Sequence, residues 1–312
     1  MVCYFMNMLA LKDWIRASRL TSQSYILLPL LLGQAVAYYQ TGSLSVPILL
    51  ITHLFGLFIQ LFIIYANDYA DIETDKDNST YTVFTGGSRV LVEGAISKRS
   101  MGKAIVLMVA LNISLGLILT LVFHRTLSLV FIGVALGLLW AYSYRPIILS
   151  YRGGGELLQL IGVGILLPLF SFYLQRGSVL LFPMEVVIIL LPIQLSCALS
   201  TTLPDYPSDR RHNKRTLAVL LSPVAVKVLI IALNIATLFL LVTLGSPSMG
   251  VSLAISSLPI VLTLAMISLL RHADAGNPRL FYFVLFNIAS VLVFVAGLSL
   301  YYLTAGTHYI IK

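Results

Sequence analysis

Long apolar runs recur from one end of this chain to the other, and they constrain its fold more than any other feature. Nine of them fall at about 20–40, 46–66, 103–123, 126–143, 157–174, 179–200, 217–244, 250–270 and 280–304. Each reaches or approaches the roughly 20 residues that a helix needs to cross a bilayer. Only 10% of the 312 residues are charged and 59% are hydrophobic, against about 25% charged in a soluble domain. No water-soluble core hides that much apolar surface. In lipid the backbone must satisfy its own hydrogen bonds, so the runs predict helices. The expectation is an all-α membrane protein of about nine transmembrane helices, forming a single polytopic domain over 1–312.

A net charge of +8 on a soluble protein would point to nucleic acid, but here the bases sort by loop. Placing alternate loops on opposite sides of the membrane puts all of the 20 Lys and Arg on one side except Arg125, Arg176 and Lys312. The positive-inside rule makes the rich side cytoplasmic. The N-terminus is therefore expected in the cytoplasm and the C-terminus on the opposite side, with membrane lipids and no nucleic acid as partners. Cys3 falls in a cytoplasmic segment and Cys197 inside a membrane helix, so no disulfide is expected between them.

The same partition leaves Glu185 alone among the 12 acidic residues on the outer side. Two acidic clusters stand out on the other. The first runs from Asn67 to Asp75 and continues the second apolar run, at the start of a loop over 67–102. On a helix, Asn67, Asp68, Asp71 and Asp75 share one face, and like charges so placed repel. A hard divalent cation would hold them, and magnesium uses one or two carboxylates together with phosphate oxygens and water. The second cluster, Asp205 and Asp209 in a loop over 201–216, is followed by Arg210, Arg211, Lys214 and Arg215. Together they describe a diphosphate clamp, two carboxylate arms bridged through magnesium with cations closing over the phosphates. Pro204 and Pro207 argue against a regular helix there, because each lacks a backbone donor. The plain alternatives are a solvated acidic helix end and an ordinary basic loop. A secondary transporter is the rival from another class, but transporters place their acids near the bilayer midplane.

These residues resemble the UbiA superfamily of intramembrane prenyltransferases, whose paired motifs match Asn67 to Asp75 and Asp205 to Asp209. The resemblance implies a nine-helix bundle with a central cavity open to the cytoplasmic side of, most simply, a prokaryotic plasma membrane. It implies magnesium-dependent transfer of a polyprenyl group from polyprenyl diphosphate to an aromatic acceptor. By this likeness Asp68, Asp71, Asp75, Asp205 and Asp209 are catalytic, and Asn67, Asp71, Asp75, Asp205 and Asp209 hold the metal. Arg19, Asn67, Arg89, Tyr142, Arg145 and Lys214 are then expected around the diphosphate, with a plain interfacial or topological role as the alternative for Arg19, Tyr142 and Arg145. Arg89 follows a Gly-Gly pair and could bind phosphate or an acceptor carboxylate; Glu93 could pair with Arg89 or act on the acceptor phenol, with an ordinary surface ion pair as its expected use.

Thr85 to Gly94, Gly153 to Glu156 and Lys214 to Val219 look like the branch that prenylates 1,4-dihydroxy-2-naphthoate in menaquinone synthesis. Thr202 and Asn213 depart from it, standing where such proteins commonly carry Asn and Gly. Hydroxybenzoate, homogentisate, a tetrapyrrole or a glycerol-phosphate ether would suit the same clamp, and a non-catalytic binder of prenyl lipid is a further alternative.

Overall fold

The computed structural model describes residues 11–310, with side chains through 306; Cys3 and Lys312 lie outside the described residues. The apolar runs fold as helices α1 (Ser24–Thr41), α2 (Val46–Ala70), α3 (Lys98–Leu121), α4 (Ser128–Ser143), α5 (Gly155–Arg176), α6 (Met184–Thr202), α7 (Pro223–Leu244), α8 (Met249–Leu269) and α9 (Pro278–Ile310). Among the described residues, eight helices are long and apolar enough to cross a membrane, α1 together with the 3-10 turn Leu20–Gln23 that leads into it. The exception is α4, whose 16 residues reach about 24 Å, short of the roughly 30 Å hydrocarbon core. It nevertheless runs from one end of the bundle to the other. Its start is fixed where Leu127 N–H donates to Tyr173 Oη at 2.9 Å, and just beyond its end Tyr144 Oη donates to the Ala66 carbonyl at 2.9 Å.

Two runs differ locally from the sequence expectation. The sixth begins at Met184 rather than near 179, because Gly177 in a left-handed conformation (φ 73°) ends α5 and Pro183 caps the next helix. The seventh is cut at Ser222 (φ 114°) into Leu217–Leu221 and α7. Pro223 cannot donate to the preceding turn, so it starts a new helix instead, and Ser222 Oγ accepts the Ala225 N–H.

Side chains bury into two apolar clusters, one built by α2 to α5 and the other mainly by α6 to α9, and α1 serves both. Ile26 and Leu30 belong to the first, while Leu32, Ala35 and Val36 belong to the second. In the second cluster a buried polar set ties three helices: Asn234 Nδ2 donates to Asn287 Oδ1 (2.8 Å), Asn287 Nδ2 to the Ser196 carbonyl (3.0 Å) and Ser290 Oγ to Asn234 Oδ1 (3.0 Å). Such bonds fix register where apolar contacts between helices are interchangeable.

Helix α1 reaches this position by close approach to α5. A Cβ on Gly33 would lie 2.0 Å from the Pro168 carbonyl oxygen and 2.1 Å from Ser171 Oγ, both on α5, whereas one on Gly133 would meet nothing within 4 Å. Gly33→Ala should therefore push the helices apart and destabilise the protein by about 1–3 kcal/mol or more, while Gly133→Ala leaves it unchanged or slightly stabilised. Thermal unfolding of the two variants in one detergent checks the contrast.

Candidate active site

The site forms where the first acidic segment leaves α2 and the second leaves α6. Helix α2 carries Asn67 and Asp68 in its last turn, breaks at Asp71 (φ −97°) and resumes as Ile72–Lys76. The break does not lose the helical face. Asp71 N–H still donates to the Asn67 carbonyl (2.9 Å) and Asp75 N–H to the Asp71 carbonyl (2.8 Å). After α6, Asp205 caps a short helix, Tyr206–Arg211, with Pro207 in its first turn. A missing N–H is harmless there, so the proline that argued against a helix in fact begins one.

Several contacts join the two segments. Asn78 Nδ2 donates to Asp205 Oδ1 (2.7 Å), Thr80 Oγ1 to the Pro204 carbonyl (2.6 Å) and Ser208 Oγ to the Thr74 carbonyl (2.9 Å). Lys214 Nζ lies 3.0 Å from Asp71 Oδ2 and 3.9 Å from Asp209 Oδ1. Tyr151 Oη steadies the same carboxylate, donating to Asp71 Oδ1 at 3.2 Å.

Between the helices lies a cavity of about 290 Å³ with two unlike ends. Arg19, Asn67, Asp71, Asp75, Asp205, Asp209 and Lys214 line the polar end, with Tyr142 and Glu156 beside them. Much of the rest is apolar, lined by Ile59, Ile63, Ala135, Leu138, Leu139, Val163 and Leu166, with Ser22, Tyr25 and Gln60 among the other lining residues. Val163 and Leu166 belong to a turn of π-helix, Ile161–Leu166, inside α5, and such bulges often mark functional sites.

The polar end fits a hard cation. Its donors are oxygens, and Asn67 Oδ1 is buried without a hydrogen-bond partner. A Cβ on Gly87 (φ 74°) would lie 2.1 Å from Asp75 Oδ2, so only glycine lets that loop close over the carboxylate. Among the described residues no three acidic, His or Cys side chains converge closely enough to hold a metal ion on their own.

The sequence profile of the UbiA prenyltransferase family matches residues 26–305. The chain belongs to the UbiA prenyltransferase family. It is 28% identical to a 1,4-dihydroxy-2-naphthoate octaprenyltransferase of Bacillus subtilis (strain 168), over 62% of this chain and 60% of that protein. Identity is also 28% to the protein of that name from Haemophilus influenzae, over 84% of this chain and 85% of the relative. The fold is similar to that of a UbiA homologue from Archaeoglobus fulgidus bound to GPP and Mg2+, with a TM-score of 0.64 and 17% identity over 92% of this chain and 99% of that one.

The structure brings most of the residues that the UbiA resemblance implies into one wall, but not all. Asp68 lies behind the cavity, held by the Arg19 guanidinium, by Ser88 Oγ and by the Ser88 N–H at 3.1 Å. It orients Arg19, whose Nε is buried without a partner. Arg89 is turned away from the cavity: its guanidinium donates to the Asp75 carbonyl at 2.6 Å and stacks 4.4 Å over the Tyr81 ring. Arg145 lies on an exposed turn outside the cavity wall, because the chain turns at Pro146 and carries the side chain outward. Glu93 pairs with Arg16 at 2.7 Å and not with Arg89. Thr202 stays in the wall, while Asn213 adopts a left-handed conformation (φ 54°). Asn tolerates that region better than most residues, so it replaces Gly there without strain.

Burial, then repulsion by Asp71 and Asp68, pushes the Asp75 carboxyl up to about 7. Asp209 is likewise raised to about 7, chiefly by burial, against the attraction of Lys214. Burial also raises Asp205. Burial disfavours the charge on Lys214, yet Asp71, Tyr142 and Asp209 hold its pKa well above the ordinary amine value. The folded protein therefore keeps protons on Asp75 and Asp209 where the unfolded chain has released them. Their contribution to stability is complete below an ordinary carboxylate pKa and is lost as pH rises through about 7. Without divalent cations, Tm should fall between about pH 5 and about pH 8, and Asp75→Asn should flatten that slope. Thermal unfolding in a chelating buffer tests both.

Proposed function

We propose that this UbiA-family protein transfers a polyprenyl group from polyprenyl diphosphate to an aromatic acceptor, with 1,4-dihydroxy-2-naphthoate as that acceptor. The observation that carries the reading is the meeting of both acidic motifs in the wall of one cavity that is polar at one end and apolar beyond it. A prenyl diphosphate has the same two-part chemistry. The names of the naphthoate relatives support the acceptor, and the A. fulgidus complex supports the diphosphate and the metal. The loop partition would place the polar end at the cytoplasmic face, most simply of a prokaryotic plasma membrane.

In this reading Asn67, Asp71, Asp75, Asp205 and Asp209 hold magnesium, which when bound supplies Lewis-acid stabilisation of the departing diphosphate. The chain does the remainder. Lys214 and Arg19 present fixed positive charge to the phosphate oxygens, and Asp71 and Asp68 hold those two side chains in place. Preorganised charge of this kind acts most strongly where the leaving group gathers negative charge. The apolar wall seats the prenyl tail and keeps water from the electron-poor allylic carbon.

Purified protein given magnesium, geranylgeranyl diphosphate and a panel of aromatic acceptors should yield one dominant prenylated product by mass spectrometry, formed from 1,4-dihydroxy-2-naphthoate. A product from another acceptor would reassign the substrate. Asp71→Ala and Asp209→Ala should lower turnover by about 10²-fold or more while expression and membrane insertion persist; wild-type rates in either would remove the clamp. Arg145→Ala, outside the cavity wall, should change the rate by less than about three-fold.

A further inference from the structure

Glu156 is a buried charge that the diphosphate chemistry does not use. It sits in the first turn of α5, is 4% exposed and lines the cavity beside the clamp. One carboxylate oxygen accepts the Leu217 N–H at 2.7 Å. Among the described residues its other oxygen has no hydrogen-bond partner, and no Lys, Arg or His pairs with the group. That oxygen is not sealed into the interior but is open to the cavity that the residue lines.

The glycines before it explain how it gets there. Gly153 and Gly154 have φ of 88° and 113°, and a Cβ on Gly155 would come within 2.9 Å of the Tyr142 ring. The run lets α5 begin hard against Tyr142. The Tyr142 hydroxyl consequently lies within electrostatic range of Glu156, Lys214, Asp71 and Asp209 together. Gln159 and Thr216 share this wall. A second polar patch thus adjoins the diphosphate end, built from α4, α5 and the segment after the second motif.

We propose that Glu156 is the base that takes the hydroxyl proton of the aromatic acceptor. The inference rests on the function proposed above and adds the acceptor side of the same site. As a ring carbon of the acceptor bonds to the allylic carbon, the allylic carbon–oxygen bond breaks and its electron pair leaves with the diphosphate. The hydroxyl proton passes to Glu156, and the ring becomes a ketone. Loss of a carboxylate from the substituted carbon as carbon dioxide leaves an enolate, which recovers the proton from Glu156 and restores the aromatic ring. A base placed within hydrogen-bond reach contributes about 10²- to 10⁴-fold to such a step.

The rival role is structural, because Glu156 also caps the helix at Leu217. Glu156→Gln separates the two, since its carboxamide oxygen still accepts the Leu217 N–H but is no longer basic. With a phenolic acceptor the variant should lose about 10²-fold or more in kcat, while its affinity for geranylgeranyl diphosphate with magnesium stays within about two-fold of wild type. Along a series of ring-substituted acceptors of falling hydroxyl pKa, the loss should shrink to less than about ten-fold once the hydroxyl is ionised at the assay pH. A loss of equal size across the series, a parallel loss of diphosphate affinity, or activity within about three-fold of wild type would each overturn the assignment. If the wild-type protein prenylates no hydroxylated aromatic compound, the proposed function fails first and the role of Glu156 falls with it, a result visible before any variant is made.

Discussion

The structure turns on an excess of negative charge held at one point in an otherwise apolar bundle. Asp68, Asp71, Asp75, Asp205 and Asp209 gather around Arg19 and Lys214, far from the solvation that would make such crowding cheap. Three of the carboxylates have a restraint of their own: Ser88 on Asp68, Tyr151 on Asp71, Asn78 on Asp205. None of these removes the charge. Burial answers part of the problem by raising the pKa of Asp75 and Asp209, and on the proposed reading a bound divalent cation would answer it more completely. On the proposed reading, the same imbalance is what would let the site take up a metal and an anionic ligand.

Everything else in the fold serves to bring that point together. The two apolar clusters each close around their own helices, and α1 belongs to both because Gly33 lets it lie against α5. The motif segments leave α2 and α6, the bonds between Asn78 and Asp205 and between Ser208 and Thr74 cross between them, and the cavity extends from this junction between α2, α4 and α5. Glu156, Gln159, Val163 and Leu166 follow one helical face of α5 and line the cavity together.

Much of this was legible in the residues. Hydropathy alone located the helices, since in lipid no other regular structure satisfies the backbone within a single segment. The acidic face of Asn67, Asp71 and Asp75 followed from helical spacing, and the break at Asp71 left it intact. The same spacing would have extended to Asn78, three residues beyond Asp75, which proves to be the bridge to Asp205. What stayed hidden depends on tertiary approach. Nothing local distinguishes Arg19, which enters the cavity, from Arg89, which is spent on loop carbonyls, or from Arg145, which points outward. Pro207 read as a helix breaker because its effect reverses in a first turn, and Glu156 read as part of a motif because its lone hydrogen bond reaches a residue 61 positions away.

The central claim is that the two motifs act as one site through a shared cation, and a double-mutant cycle on ligand binding tests it most directly. The quantity to measure is the affinity of a non-reactive geranylgeranyl thiolodiphosphate, with and without magnesium, for the wild-type protein, Asp71→Asn, Asp209→Asn and the double variant. Tight binding that requires magnesium, and a double variant scarcely weaker than either single one, is the predicted result. Binding that ignores magnesium, or two losses that simply add, would show that the motifs do not share a ligand.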